Sequence, residues 1–156
     1  LKQVMEQDFA ICDYEPFQRR LARAERVLYI GDNAGEAVFD RLLIEQMGKP
    51  VTFVVRERPV INDVTFDDAV QAGIDKVATI ASSGTDAPGT ILGTCSPQFR
   101  QTLQNAEFVL AKGQGNYEGL SNEKHPIFFL LKVKCRVIAD DIGVPNGSIM
   151  LKGMNI

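Results

Sequence analysis

The chain has 156 residues with 17 basic and 20 acidic side chains, a size that fits one ordinary globular unit able to bury a core without disulfides. A sequence pI near 5.2 leaves no basic field to attract nucleic acid or an anionic membrane. Three widely spaced cysteines, Cys12, Cys95 and Cys135, without any C-x-x-C pair argue against a disulfide framework or a thiolate zinc site and for a reducing cytoplasm.

No apolar run approaches the roughly 20 residues of a spanning helix, and the start Leu1-Lys2-Gln3 lacks a signal peptide's apolar segment. A first residue other than Met is expected of a fragment or a processed chain. Residues 1–24 read as a helical segment in two pieces. Val4, Met5, Phe9 and Ile11, then Phe17, Leu21 and Ala24 fall at three-to-four spacing, interrupted near Asp13 and Pro16. Residues 25–156 form the α/β part.

Val27–Ile30 predicts a strand, Glu36–Met47 a helix stopped by Gly48 and Pro50, and Val51–Val55 a second strand. Such near-continuous apolar strands are buried on both faces of a parallel sheet. Asn62-Asp63 sits in a turn, Thr65 or Asp63 caps a helix over Phe66–Ala72, and Lys76–Ile80 is a third strand. Ala81–Gly93, rich in Ser, Gly, Thr and Pro, reads as a long loop that forms a lid or wall. Ser96-Pro97 starts a helix reaching about Gln104, Phe108–Ala111 is a fourth strand, and Ile127–Leu131 a fifth. A helix around Cys135–Ile142 and a strand Ser148–Lys152 complete a mostly parallel, Rossmann-like α/β fold.

Three polar clusters then end or follow strands: Asp32-Asn33, Asn62-Asp63, and the run Lys112 to Glu118. Right-handed crossovers bring equivalent loops to one sheet edge, where open α/β sheets bind ligands. There Asp32, Asn33 and Asp63 offer the oxygen donors that hard divalent cations prefer. Lys112 provides a point charge for a phosphoryl oxygen, while Gly113 and Gly115 let backbone N–H groups approach it. Ser83, with Ser82 and Gly84, is a candidate contact for phosphate or a sugar hydroxyl.

Taken singly, each cluster also reads as a helix cap, an Asx turn or a solvated turn. No G-x-G-x-x-G follows the first strand, so a dinucleotide site is disfavoured. Haloacid-dehalogenase-type phosphatases carry a second aspartate where Ala34 stands here. His125, the only histidine, is a weak candidate for touching substrate; Asp140-Asp141 reads as a solvated face and Cys135 as a buried thiol.

Together, Gly31-Asp32-Asn33-Ala34-Gly35-Glu36, Ile61-Asn62-Asp63-Val64-Thr65 and Lys112-Gly113-Gln114-Gly115-Asn116-Tyr117-Glu118 resemble the metal-dependent damage-control phosphatases. That family was long catalogued as a domain of unknown function, and one branch is named for a claimed acidic-residue methyltransferase activity. The resemblance extends through Lys132-Val133-Lys134-Cys135 and Gly143-Val144-Pro145-Asn146-Gly147-Ser148.

It implies an α/β/α sandwich that hydrolyses phosphate monoesters of small, damaged or surplus metabolites, such as sugar phosphates, with magnesium, manganese, cobalt or nickel. The ion is held by Asp32, Asn33 and Asp63, with Lys112 at the phosphate and Glu36, Asn116 and Glu118 in the same motifs. The nucleophile is water activated by the ion, or Asp32 itself. Family members usually carry a helical region first, which only residues 1–24 could represent. The competing readings are a module that binds nucleotide or sugar phosphate without turnover, and an S-adenosylmethionine-dependent carboxyl methyltransferase, for which the glycine-rich cofactor loop is missing.

Overall fold

A computed structural model describes residues 7–156. Its seven strands form one sheet: β1 (Phe9–Cys12), β2 (Val27–Ile30), β3 (Val51–Val55), β4 (Thr79–Ser82), β5 (Val109–Lys112), β6 (Ile127–Lys132) and β7 (Ile149–Met154). The spatial order is β1-β7-β6-β5-β2-β3-β4. Every neighbouring pair is parallel except β6 with β7. From β2 the chain winds outward through β3 to β4, then returns to the other side of β2 and winds through β5 to β6. The crevice between the carboxyl ends of β2 and β5 is therefore a topological switch point, the place where such sheets open to ligands.

Helices cover both faces. On one lie α1 (Tyr14–Arg23), α2 (Ala37–Met47) and α3 (Phe66–Gln71), which bury Phe17, Ile44, Met47 and Ala69 against Tyr29, Phe53, Leu110 and Phe128. On the other lie α4 (Pro97–Gln104), α5 (Gln114–Leu120) and α6 (Arg136–Ile142), which bury Phe99, Leu103, Leu120 and Ala139 against Ile30, Val54, Ala111 and Phe129. The result is the expected three-layer α/β/α sandwich. Alternating residues of one strand serve opposite cores, which is why Val27–Ile30 and Ile127–Phe129 are apolar at every position.

Local signals set the helix ends. Thr65 accepts a hydrogen bond from the Asp68 N–H while Asp68 accepts from the Thr65 N–H, a reciprocal cap on α3. Ser96 caps α4 with Pro97 at its first position, and left-handed Gly48 and Gly143 follow α2 and α6.

Three readings need correction. Phe9 and Ile11 belong to strand β1, not to a helix; β1 pairs with β7 and the Gly153 N–H donates to the Asp13 carboxylate, so sheet pairing outweighs local periodicity. Val4 and Met5 lie outside the described residues. The strand assigned to Lys76–Ile80 begins only at Thr79, because Ile74–Lys76 is a short 3-10 turn after Gly73. The segment after Lys112, read as a loop, coils into α5. No helix among the described residues is long and apolar enough to cross a membrane.

α1 is held to the sheet by Phe17, whose ring meets Phe108 and Phe128 edge-on at 5.2 and 5.3 Å between centroids. Phe17→Ala is expected to lower the unfolding free energy by about 3–5 kcal/mol in urea denaturation, whereas a change below about 1 kcal/mol would mean that α1 is only loosely seated.

Candidate active site

The β2 strand delivers Asp32 and Asn33 to the switch-point crevice. Asn33 forms an isolated antiparallel bridge with Asp63, reinforced by hydrogen bonds from the Ala34 N–H to the Asn62 carbonyl and from the Val64 N–H to the Asp32 carbonyl. Residues 32, 33 and 63 are thus brought together by backbone pairing. Across the crevice, Gly113 adopts φ +83°, and a Cβ there would collide with the Asp32 carboxylate. Only glycine allows Asp32 to lie against the start of α5.

Asp32 is half-buried and accepts only a long 3.5 Å contact from Asn33 Nδ2. Burial, then the nearby Glu36 and Asp63 carboxylates, raise its pKa against the pull of Lys134. The site is therefore short of positive charge at Asp32. Asn33 is oriented by Glu36, whose N–H donates to Asn33 Oδ1 at 3.0 Å and whose carboxylate accepts from Nδ2 at 2.7 Å.

Lys112 does not stand free at a mouth. Its Nζ donates to Glu36 at 3.0 Å and to Asp40 at 2.7 Å, and Asp40, only 2 % exposed, also accepts from the Tyr29 hydroxyl at 2.5 Å. Burial pushes the Lys112 pKa down, but Asp40 and Glu36 overcome it and hold the group above its ordinary value, as a cation. For Glu36, burial raises the carboxyl pKa, but Lys112, with Asn33 and Lys134 adding to it, outweighs burial and lowers it.

Arg56, 1 % exposed, ties the loops to one another. It leaves the end of β3 and donates through Nε to Asp63 at 2.8 Å, through one terminal nitrogen to Thr90 at 3.1 Å and through the other to Asn116 at 2.7 Å. The Gly89 N–H adds a second bond to the same Asp63 oxygen, Oδ2. Asp63 keeps Oδ1 for another partner.

Several expected contacts lie elsewhere. Asn116 is wholly buried and spends all four hydrogen-bonding positions inside the protein: Arg56 and Thr90 donate to its oxygen, and its amide donates to the Gly31 and Lys112 carbonyls. It cannot also bind substrate. Ser83 is buried too, its hydroxyl donating to the Val55 carbonyl. Glu118 points outward on α5 and accepts from Gln114. Gly115 meets the backbone of Gly89, so the 81–93 segment forms a packed wall. His125 precedes β6 at the opposite sheet edge, Asp140 and Asp141 are exposed, and Cys135 is half-buried rather than a core thiol.

Arg56, Asp40 and Lys134 were given no role by motif reading. Asp40 falls one helical turn after Glu36, on the same face of α2, which is a readable signal; Arg56 breaks an apolar strand at its carboxyl end, a subtler one. Among the described residues no three His, Cys, Asp or Glu side chains gather closely enough to hold an ion. A cation at this place therefore needs the Asn33 amide oxygen beside Asp32 and Asp63.

Comparison with known proteins places the sequence clearly. The model of the damage-control phosphatase ARMT1-like domain matches residues 1–150. The damage-control phosphatase PH1575 of Pyrococcus horikoshii is 37% identical over 155 residues, covering 96% of this chain and 54% of its own length. A damage-control phosphatase of Archaeoglobus fulgidus is 38% identical over 157 residues, covering 97% and 54%. The uncharacterized protein MJ0202 of Methanocaldococcus jannaschii is 41% identical over 136 residues, covering 82% and 45%. The crystal structure of the Pyrococcus horikoshii protein, described as a DUF89 family member, superposes with a TM-score of 0.89 at 37% identity, over 96% of this chain and 54% of that one. The chain spans about half the length of the curated relatives it matches.

Arg56→Met is expected to cost about 3–5 kcal/mol in chemical denaturation, because Asp63 would keep its buried charge without a cationic partner. A loss under about 1 kcal/mol would reduce the fork to a replaceable contact.

Proposed function

The chain belongs to the damage-control phosphatase ARMT1-like domain family, and from that membership we propose that the protein hydrolyses phosphate monoesters of small metabolites, damaged or surplus sugar phosphates among them, with a divalent cation held by Asp32, Asn33 and Asp63. The observation that carries this reading is the backbone bridge between Asn33 and Asp63 beside Asp32, which brings three residues with hard oxygen donors to the switch point.

The donor set suits such an ion. Asp32 has carboxylate oxygens without a strong internal donor, Asp63 retains Oδ1, and Asn33 Oδ1 has a lone pair left after the Glu36 N–H. Magnesium, manganese, cobalt or nickel held there by Asp32, Asn33 and Asp63 would supply positive charge toward the phosphoryl oxygens and would acidify a bound water.

The chain's own residues do the positioning. Arg56 fixes Asp63 and offsets part of its charge, so the three-residue set carries less negative charge than two free carboxylates would. Glu36 locks the Asn33 amide with its oxygen accepting from the helix N–H. Lys112, kept protonated by Asp40 and Glu36, contributes a fixed cation beside the crevice where the phosphoryl charge develops. Of its two partners Glu36 is the more exposed, at 39% against 2% for Asp40, so an arriving phosphate competes with Glu36 while Asp40 keeps the ammonium in place.

The test is release of p-nitrophenol from p-nitrophenyl phosphate by the intact gene product with manganese, cobalt or nickel, with and without chelator. Loss of a partner that merely orients a metal ligand costs about 10–100-fold, so Asp32→Ala is expected to exceed that loss. It should also abolish cation binding by calorimetry while leaving the circular dichroism spectrum intact. Chelator-resistant turnover, or full activity in Asp32→Ala, overturns the assignment. Phosphate binding without turnover by the wild type favours the binding-module reading instead.

A further inference from the structure

The outer side of α2 is apolar as well as the inner one. Ala37, Ile44 and Met47 are buried against the sheet, yet Val38, Phe39 and Leu42 face water, Phe39 with 63% of its surface. A helix apolar on both sides is of the kind that is covered on both. By contrast α1 and α4 present Arg19, Arg23, Gln98 and Gln101 outward, as helices on an open surface do.

The neighbouring helix repeats the pattern. α2 and α3 follow the adjacent parallel strands β2 and β3 on one face of the sheet, so they run side by side in one direction. The Ala34 N–H donates to the Asn62 carbonyl where the two segments enter, and Arg41 lies against Gly73 just after α3. α3 exposes Phe66 and Val70, four residues apart, as α2 exposes Val38 and Leu42.

Ile61 adds an independent sign. It stands in the turn closed by the Asp63 N–H on the Val60 carbonyl, with φ +49° and 85% of its surface exposed. A β-branched residue is strained in this left-handed region, where Gly or Asn would hold the turn at less cost. The chain thus keeps an apolar side chain at a strained position while giving it almost nothing to touch. Together the six side chains leave roughly 700 Å2 in water, more than the largest apolar patch of a typical monomer, about 300–600 Å2. That approaches the area that one partner buries in a stable interface, about 800 Å2.

We propose that the α2–α3 face docks an apolar helix supplied by a part of the same polypeptide beyond these 156 residues. A groove between two helices takes a third through anchors at three- and four-residue spacing. The charged pair on α2, Arg41 with Glu45, is closed within its own helix, which leaves apolar contact as what that surface offers. Length argues for the source: two curated relatives carry nearly as much chain again outside the part matched here, enough to supply such a helix without a second molecule.

The experiment labels the intact gene product with a maleimide and reads each site by peptide mass spectrometry, which keeps the exposed native Cys12 separate. Phe39→Cys and Leu42→Cys report on the face, and Val137→Cys, on the opposite side of the sheet and 76% exposed, is the reference. All three positions lie on helix surfaces, so the substitutions spare the core. Both sites on α2 are expected to react at least about tenfold more slowly than position 137, since reaction there waits for local opening. Adding Phe66→Glu, which puts a charge into the groove, should bring the rate at position 39 up toward the reference. Equal rates at 39, 42 and 137 overturn the proposal. So does protection that disappears on dilution, which assigns the face to a second copy, or protection that Phe66→Glu leaves untouched. None of these readings depends on turnover, so the phosphatase assignment stands or falls separately.

Discussion

A single buried guanidinium holds the candidate site in shape. Arg56 joins three segments that are far apart in sequence: the turn carrying Asp63, the 81–93 wall through Thr90, and α5 through Asn116. Burying a charge this deeply is costly unless it is paired and every donor is used. Here the charge is matched by Asp63, and each branch of the fork meets an oxygen. Asn116 relays the constraint to the carbonyls of Gly31, just after β2, and Lys112, the last residue of β5, the two strands that flank the crevice. The loops of a doubly wound sheet are ordinarily its most mobile parts; in this chain they share one rigid hub.

The hub separates two kinds of charge. On one side lie Asp63, Asn33 and Asp32, where acidic groups crowd and Asp32 is driven toward a higher pKa first by burial and then by Glu36. On the other lies the ladder Tyr29, Asp40, Lys112 and Glu36, in which one ammonium stands between two carboxylates. Glu36 belongs to both, since its carboxylate accepts from Asn33 and from Lys112. A change of charge at the cation site is therefore felt directly at Lys112 through a single side chain. That coupling gives the four-residue spacing of Asp32, Glu36 and Asp40 a physical reason.

Most of the architecture was legible because strands buried on both faces leave unbroken apolar runs, and because Gly48, Gly143 and Ser96-Pro97 mark helix ends by local chemistry. The convergence of residues 32, 33 and 63 followed from chain topology alone. What sequence reasoning missed depends on tertiary pairing. Phe9 and Ile11 fit a helical period, yet β7 offers them an edge to pair with. Asn116 and Ser83 have side chains typical of substrate contacts, and nothing local reveals that their polar atoms are consumed internally. Lys112 was read as an open cation because its partners Asp40 and Glu36 sit more than seventy residues away in sequence.

The position of Lys112 bears on how the crevice can handle an anion. A lysine paired with two carboxylates has little net charge to offer, so phosphate attraction must come from elsewhere or from a rearrangement of one pair. Two features of the fold answer this. Glu36 is the accessible partner and can yield, while Asp40 is buried and held through Oδ1 by the Tyr29 hydroxyl as well as by Lys112. Lys134, beyond the end of β6, adds a cation that is not already spent, in reach of Asp32. An anion entering the crevice thus meets one charge freed by exchange and one standing ready.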